Sequence, residues 1–341
     1  MRIQAKINDY SIKLLSNTNV KRKRALLQMN KRVLVKLLFM LFPIVILIVS
    51  CKKSSTPSAD DTTQQVATAS DQYIITMQSD QVISDANIIL SGHPTSGTIS
   101  IAGATIDSSN LSNGVYIINY HGTDTRNMWN RTGAVTVQIT GDWNVPGSVL
   151  TLVFNNFTVT RTSNGNSITF NGNNTITNIS AATYNYWHLP GDGVTTIEHK
   201  VQGTFTIDFG GGIVRPWNIA RTRKIVKTNS LAYQLTISQD TTVNGYTRIE
   251  SWGTDRAGEL FTSALTKPIV INSSVPTGPL SGYYQLLGLT SAMTINFGVD
   301  TSGVAYNLGA YYKLGAPYPY GYKLSWVNTS GGGNDTPVYP Y

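Results

Sequence analysis

Cysteine is almost missing from this chain: of 341 residues only Cys51 carries a thiol. That excludes an internal disulfide and any metal site built from several cysteines. Glutamate is nearly as scarce, occurring at Glu198, Glu250 and Glu259 alone. The four histidines, His93, His121, His188 and His199, show no metal-ligand spacing, and His199 sits beside Glu198, so on a strand the two side chains point to opposite faces. No Gly-x-Ser-x-Gly elbow, phosphate-binding loop, dinucleotide fingerprint or calcium loop occurs. Nothing in the sequence therefore asks for a cofactor or a metal. Charged residues make up 13% of the chain against 41% hydrophobic, a balance that suits a folded protein with a sizeable core.

Positive charge is also missing, once the chain is divided. The formal net charge is +8. Residues 1–50 hold ten Lys and Arg against the single acid Asp9, and the remainder holds sixteen bases against seventeen acids. The body is thus close to neutral, and the basic footprint of a nucleic-acid binder is not there. No nucleic-acid partner is expected.

The basic segment reads as an export leader. Lys31, Arg32 and Lys36 precede an uncharged run from Leu37 to Ser50 that ends at Cys51, the order of a secretory signal. Fourteen residues including Pro43 fall short of the roughly 20 that a spanning helix needs. The end of the run, Ile48-Val49-Ser50-Cys51, resembles the lipobox of bacterial lipoproteins. That resemblance implies a diacylglycerol on the Cys51 thiol and cleavage before it, with membrane attachment through the acyl chains. On this reading residues 29–50 are the signal peptide, starting at Met29, and residues 1–28 are an over-extended N-terminus. The expected address is the bacterial cell envelope, most readily the outer membrane.

Beyond the anchor the organisation changes twice. Residues 51–70 are polar and rich in Ser, Thr and Asp, and read as a flexible tether. Residues 71–96 form a helical or mixed segment, with Ile75, Val82, Ala86 and Ile89 at helical spacing and Ser70 with Asp71 as a candidate cap. From residue 97 to 330 the period is two. Residues 98–102, 115–120, 134–140, 150–154, 204–209 and 233–237 alternate or nearly so, and are dominated by Thr, Val, Ile and Tyr. Turn signals lie at Ser163–Asn166, Asn171–Asn173, Gly191–Gly193 and Asn244-Gly245, while Gly210-Gly211-Gly212 reads as a bend. Short connections make neighbours antiparallel. The fold class expected is mainly all-β: an antiparallel meander of a dozen or more strands forming a sandwich or a curved sheet, after a short N-terminal helix. Residues 331–341 read as a C-terminal tail.

Arg131-Thr-Gly133-Ala-Val-Thr-Val and Arg256-Ala-Gly258-Glu-Leu-Phe-Thr echo one another, each placing Arg two residues before Gly ahead of a strand. Three stretches together carry a family resemblance: Arg131–Val137 with Pro146–Thr151, Trp217-Asn-Ile-Ala-Arg-Thr-Arg223, and Gly253-Thr-Asp-Arg-Ala-Gly258. They resemble a family of uncharacterised β-rich lipoproteins of Bacteroidota. The resemblance implies fold and address, and no activity.

Candidate binding residues are few. Arg221 and Arg223 stand two apart on a strand, so their guanidinium groups share one face, with Lys227 extending the row. They suit an anionic ligand or a glycan, or else ion pairs with acids on a neighbouring strand. Tyr186 and Trp187 lie in a loop, where exposed aromatics make platforms for sugars or proteins, or else form buried caps at the end of a sandwich. Asp208, Asp255, Glu250 and Glu198 are the carboxylates from which an acid–base pair could come, although the Glu-x-Asp-x-x-Glu strand pattern shared by many β-sandwich glycosidases does not occur. The expectation is a membrane-anchored lipoprotein, held through Cys51, with a non-enzymatic binding or structural role toward a glycan or an envelope protein. The alternative is a carbohydrate-active enzyme, a glycoside hydrolase or lyase, with an unfamiliar site.

Overall fold

Helix α1 spans Ala59–Ser91 and precedes every strand among the described residues. The structure, a computed structural model, describes residues 59–91, 100–180, 196–229, 232–239, 241–273, 275, 278–289, 292–306, 319–327, 333–335 and 337–341. Among the described residues fifteen strands follow α1 in a single antiparallel sheet, and successive strands are neighbours almost throughout. The long early strands are β2 (Val115–Thr123), β3 (Trp129–Thr140), β4 (Val149–Arg161), β5 (Ser167–Asn178), β6 (Thr196–Asp208) and β7 (Val214–Asn229). Strands β8 (Ala232–Ser238), β9 (Ile249–Thr254) and β10 (Leu260–Asn272) form a fork, where β10 pairs with β9 along its first half and β8 along its second. Then come β11 (Ser281–Leu287), β12 (Met293–Val299), β13 (Gly321–Val327), β14 (Gly333–Asp335) and β15 (Tyr339–Pro340), while β1 (Ala104–Asp107) borders β2.

The sheet curls around the helix. Tyr116 and Tyr120 of β2 reach α1 at Ala86 and Asp85, whereas Tyr73 of α1 packs on Phe297 of β12, Tyr322 of β13 and Tyr341. One helix thus touches strands near both margins of one sheet. The curved sheet is what forms, rather than two sheets face to face.

Residues 71–76 of α1 are all buried, so the helix is enclosed on nearly every side and is core rather than cap. About 50 Å long at 1.5 Å per residue, it serves as the axis of the domain. A row of backbone irregularities bends the strands around it. Gly133 (φ 92) and Asn156 (φ 48) face each other across a register shift in β3–β4, and Gly172 (φ 132) lies in the adjacent stretch of β5. A Cβ at Gly133 would meet the Asn156 carbonyl oxygen, and one at Gly172 the Thr204 carbonyl oxygen. Bulges of this kind bend a strand and increase its twist. Beneath the bend, Phe154, Phe157, Phe170 and Phe205 pack edge-on or tilted at 5.1–6.2 Å.

Several expectations change. The second half of the 51–70 tether is helix, and Gln65, Thr68 and Ala69 are buried. Its polar side chains meet polar partners on the sheet, so low hydrophobicity does not mean solvent. Ser70 and Asp71 lie inside α1 instead of capping it, because the helix begins at Ala59. The described residues of 98–102 are not a strand; Ile101 and Ala102 lead into a turn before β1. Asn171–Asn173 and Gly133 are bends within long strands, not turns or strand starts. Of the 331–341 tail, β14 and β15 pair with β13, and the Tyr341 hydroxyl accepts from the Gly298 amide and donates to the Pro279 carbonyl.

Candidate functional site

α1 contains Asp60, Asp61, Asp71, Asp80 and Asp85 and no basic residue. Three of these acids meet arginines projecting from the inner side of the sheet. Arg256, in the turn between β9 and β10, grips Asp71 through Nε and Nη2 at 2.7 and 2.8 Å and lies over the Phe209 ring. Arg223 of β7 places Nε 2.6 Å from Asp80, and Arg131 of β3 donates to Asp85 at 2.8 Å. Arg221 of β7 pairs with Glu250 of β9 at 3.0 Å and donates to Ser79 Oγ of the helix at 2.6 Å. Gln72 completes that knot, donating to Glu250 at 2.8 Å and accepting from Ser251 Oγ at 2.7 Å. Asp255 accepts from Gln64 and Thr68, and Asn87 accepts from the Trp143 indole.

Arg221 and Arg223 are therefore inside, 1% and 0% exposed, and form no outward ligand surface. Alternation put them on one face as expected, but the face is the inner one, and burial demands partners. For Arg221 the partner is the acid of a neighbouring strand; for Arg223 it comes from the helix. Tyr186 and Trp187 lie outside the described residues, as do Cys51 and the leader. Glu198 pairs with Lys224 at 3.0 Å on the outer side, and Asp208 caps its own hairpin by accepting from the Gly210 amide. Among the described residues no group of three or more His, Cys, Asp or Glu is arranged to hold a metal ion.

Two titrating groups differ in sign. Burial raises the Asp71 carboxyl from 3.8 to about 6, despite the opposing pull of Arg256. Burial, with help from the Arg223 charge, lowers the His199 imidazole from 6.5 to about 3.

The opening into this interior follows one stripe of α1. Thr63, Ala67, Ser70, Met77, Gln81, Ser84 and Ile88, in steps of three, four or seven, form one run of helix positions that retain exposure, and Gln64, Val66, Ile89 and Leu90 are partly exposed near the two ends. The run aligns on one side of the helix, and two cavities lie along it. One, about 620 Å³, sits beside Ser70 and Ile74, between Trp129, Phe209, Tyr322 and Arg161. The other, about 450 Å³, sits over Met77, Gln81, Ser84 and Ile88, and is walled by Ile101, Leu235, Ile271 and Tyr233. Asp80 and Asp85 border this second cavity, but their oxygens are occupied: Asp85 accepts from Arg131, Tyr120 and Gln81, and Asp80 from Arg223. Its volume suits a small ligand, and its lining joins an aliphatic wall to neutral polar groups and, at one side, to the Asp124–Arg126 ion pair.

No family model, curated protein or solved structure matches the chain. The helix-facing charges were half visible beforehand: the three stretches that carry the lipoprotein resemblance contain Arg131, Arg221, Arg223 and Arg256, and all four arginines hold α1 or its partners. The missed half is the acids, and the signal available for it was a helix whose every charge is an aspartate.

Proposed function

We propose that this protein is an envelope lipoprotein, anchored through a diacylglyceryl group on Cys51, whose domain binds a small amphiphilic molecule without transforming it. The observation that carries the binding reading is the stripe of α1 left open over the 450 Å³ cavity. An apolar body fits against Met77, Leu235 and Ile271, and a polar head fits beside Gln81 and Ser84. Asp80 and Asp85 at its edge serve the fold, since each is engaged by an arginine that reaches the helix from the sheet, and Asp124 accepts from the Met128 amide and pairs with Arg126. The Ile48–Cys51 stretch supports the address, and no described helix is long and apolar enough to cross a membrane.

The test joins both halves. Full-length protein is expressed in cells fed an alkyne fatty acid, isolated in detergent, and compared with Cys51→Ala and Met77→Trp. The expected result is label that requires Cys51. A co-purifying amphiphile, seen by native mass spectrometry, is lost when Trp fills the cavity. Full label on Cys51→Ala sinks the anchor. A ligand retained by Met77→Trp sinks the cavity, and turnover of a glycan would favour the enzymatic alternative.

A further inference from the structure

The outer side of β3, β4 and β5 is the broadest uncharged stretch formed by long strands, and the shorter β2, β11 and β12 also point no Asp, Glu, Lys or Arg outward. Each of β3, β4 and β5 is 12 or 13 residues long and points alternate residues outward. Between Asn130 and Thr140, Val149 and Thr160, and Ser167 and Thr177, none of the outward residues carries a charge. Ala134, Val149 and Val153 are the apolar members, and the remainder are Thr, Ser, Asn and Gln. A soluble surface is ordinarily about a quarter to a third charged. Neighbouring β6 and β7 conform to that habit with Lys200, Glu198 and Lys224. The one basic residue at the margin, Arg161, turns onto the Trp129 ring and the Pro340 and Tyr341 carbonyls.

Register orders these groups into rows. Gln138, Thr151 and Thr175 lie opposite one another across the three strands, as do Thr132, Thr158 and Thr169. The Thr158 and Thr169 hydroxyls hydrogen-bond at 2.7 Å, and Asn171 accepts from the Asn156 amide at 2.9 Å. The array is therefore held in place by its own bonds, with neighbours in a row about 4.8 Å apart and successive positions along a strand's outer side about 7 Å apart.

We propose that this face docks an uncharged polysaccharide. Charge decides the class of partner: a nucleic acid or an anionic lipid surface needs Lys and Arg, and a protein interface centres on apolar and aromatic anchors. A neutral polymer dense in hydroxyl groups asks for what the face supplies, which is many donors and acceptors in fixed rows and no charge to desolvate. Each bond contributes little net, so affinity comes from many rows engaging one chain at once. The inference stands apart from the cavity and uses none of its residues.

The test is affinity electrophoresis of the full-length protein in detergent, through native gels containing a neutral β-glucan, a neutral mannan, or polygalacturonate as the charged control. We expect retardation by at least one neutral polymer and none by polygalacturonate, unchanged on adding salt. Thr151→Lys should abolish it. Thr151→Ala with Thr175→Ala, which keeps the face neutral and the strands intact, should weaken it about tenfold, the loss of roughly two such bonds at 1.4 kcal/mol per decade. Circular dichroism confirms that each variant is folded. Migration unaffected by both neutral polymers, retardation confined to polygalacturonate, or equal retardation of the Ala variant overturns the proposal.

Discussion

The two sides of the sheet invert the usual distribution of charge. The inner side carries Arg131, Arg221, Arg223 and Glu250, all at most 2% exposed, against Asp80 and Asp85 of the enclosed helix. The outer side of β3–β5 carries none. Water would solvate charges at no cost on the outside, so their placement within must serve something other than solubility. Buried ion pairs add little net stability compared with apolar packing, but removing one partner is severe. What such pairs supply here is register. A helix enclosed on nearly every side has no amphipathic stripe to fix its rotation or its slide, and the spaced contacts of Asp71, Asp80 and Asp85 with three separate arginines fix both.

The largest effect should come from breaking one of those contacts. Asp85→Ala leaves the Arg131 guanidinium and the Tyr120 hydroxyl without their carboxylate in a buried site. A loss of about 3–5 kcal/mol is expected in denaturant unfolding. The double variant Asp85→Leu with Arg131→Met removes both charges and should recover most of that loss. If it recovers nothing, the pairs are doing more than specifying position.

Next in size is a pH effect in which two buried groups oppose each other. The folded Asp71 carboxyl titrates near 6 against an ordinary 3.8, so the folded state binds the extra proton and Asp71's contribution declines as pH rises through that interval. The folded His199 titrates near 3 against 6.5, so here the unfolded state binds the extra proton, and stability is lost as pH falls below 6.5. Between about pH 4 and 6 the two slopes have equal size and opposite sign. Relative to wild type, Asp71→Asn should gain stability with rising pH by about 1.4 kcal/mol per unit, and His199→Gln should lose it at the same rate. Unfolding midpoints at several pH values check both; parallel curves for the three proteins would mean that neither group is as buried as its position implies.

The bend should be less costly to disturb. Gly172→Ala puts a Cβ against the Thr204 carbonyl oxygen at a φ of 132, a conformation nearly reserved for glycine. A loss of about 1–3 kcal/mol is expected, with strand content by circular dichroism retained.

How far the sequence disclosed this arrangement depends on which side of the sheet is considered. Alternation marked β2, β3, β4, β6 and β8, because a curved sheet still buries every second residue. The apolar spacing of Ile75, Val82 and Ala86 marked the latter part of α1. Its beginning was hidden because Gln64 and Thr68 look solvated until Asp255 is brought to them by the fold. Arg221 and Arg223 were correctly placed on a common face, yet period two says nothing about which face is inner. Only pairing the lysine-free, arginine-free helix with the arginine-bearing strands would have settled it. The Gly133 and Gly172 bends were visible as glycines but not as bends, since a turn and a bulge ask for the same residue.

The smallest effect is predicted on the outer side, and it sharpens the comparison most. Thr136→Lys, Asn173→Lys and Thr175→Lys each add a charge to the neutral face, where the side chain remains in water. Each should change unfolding free energy by less than about 0.5 kcal/mol. The same charge placed one residue along, at Val137 or Ile176, would be fully buried with no acid opposite it and should prevent folding. On that expectation stability gives no reason for the outer face to be without charge, since the fold would tolerate lysine there. If the outer lysines prove costly, neutrality belongs to the sheet's own packing. If they cost nothing, its cause lies outside the fold, in what the face contacts.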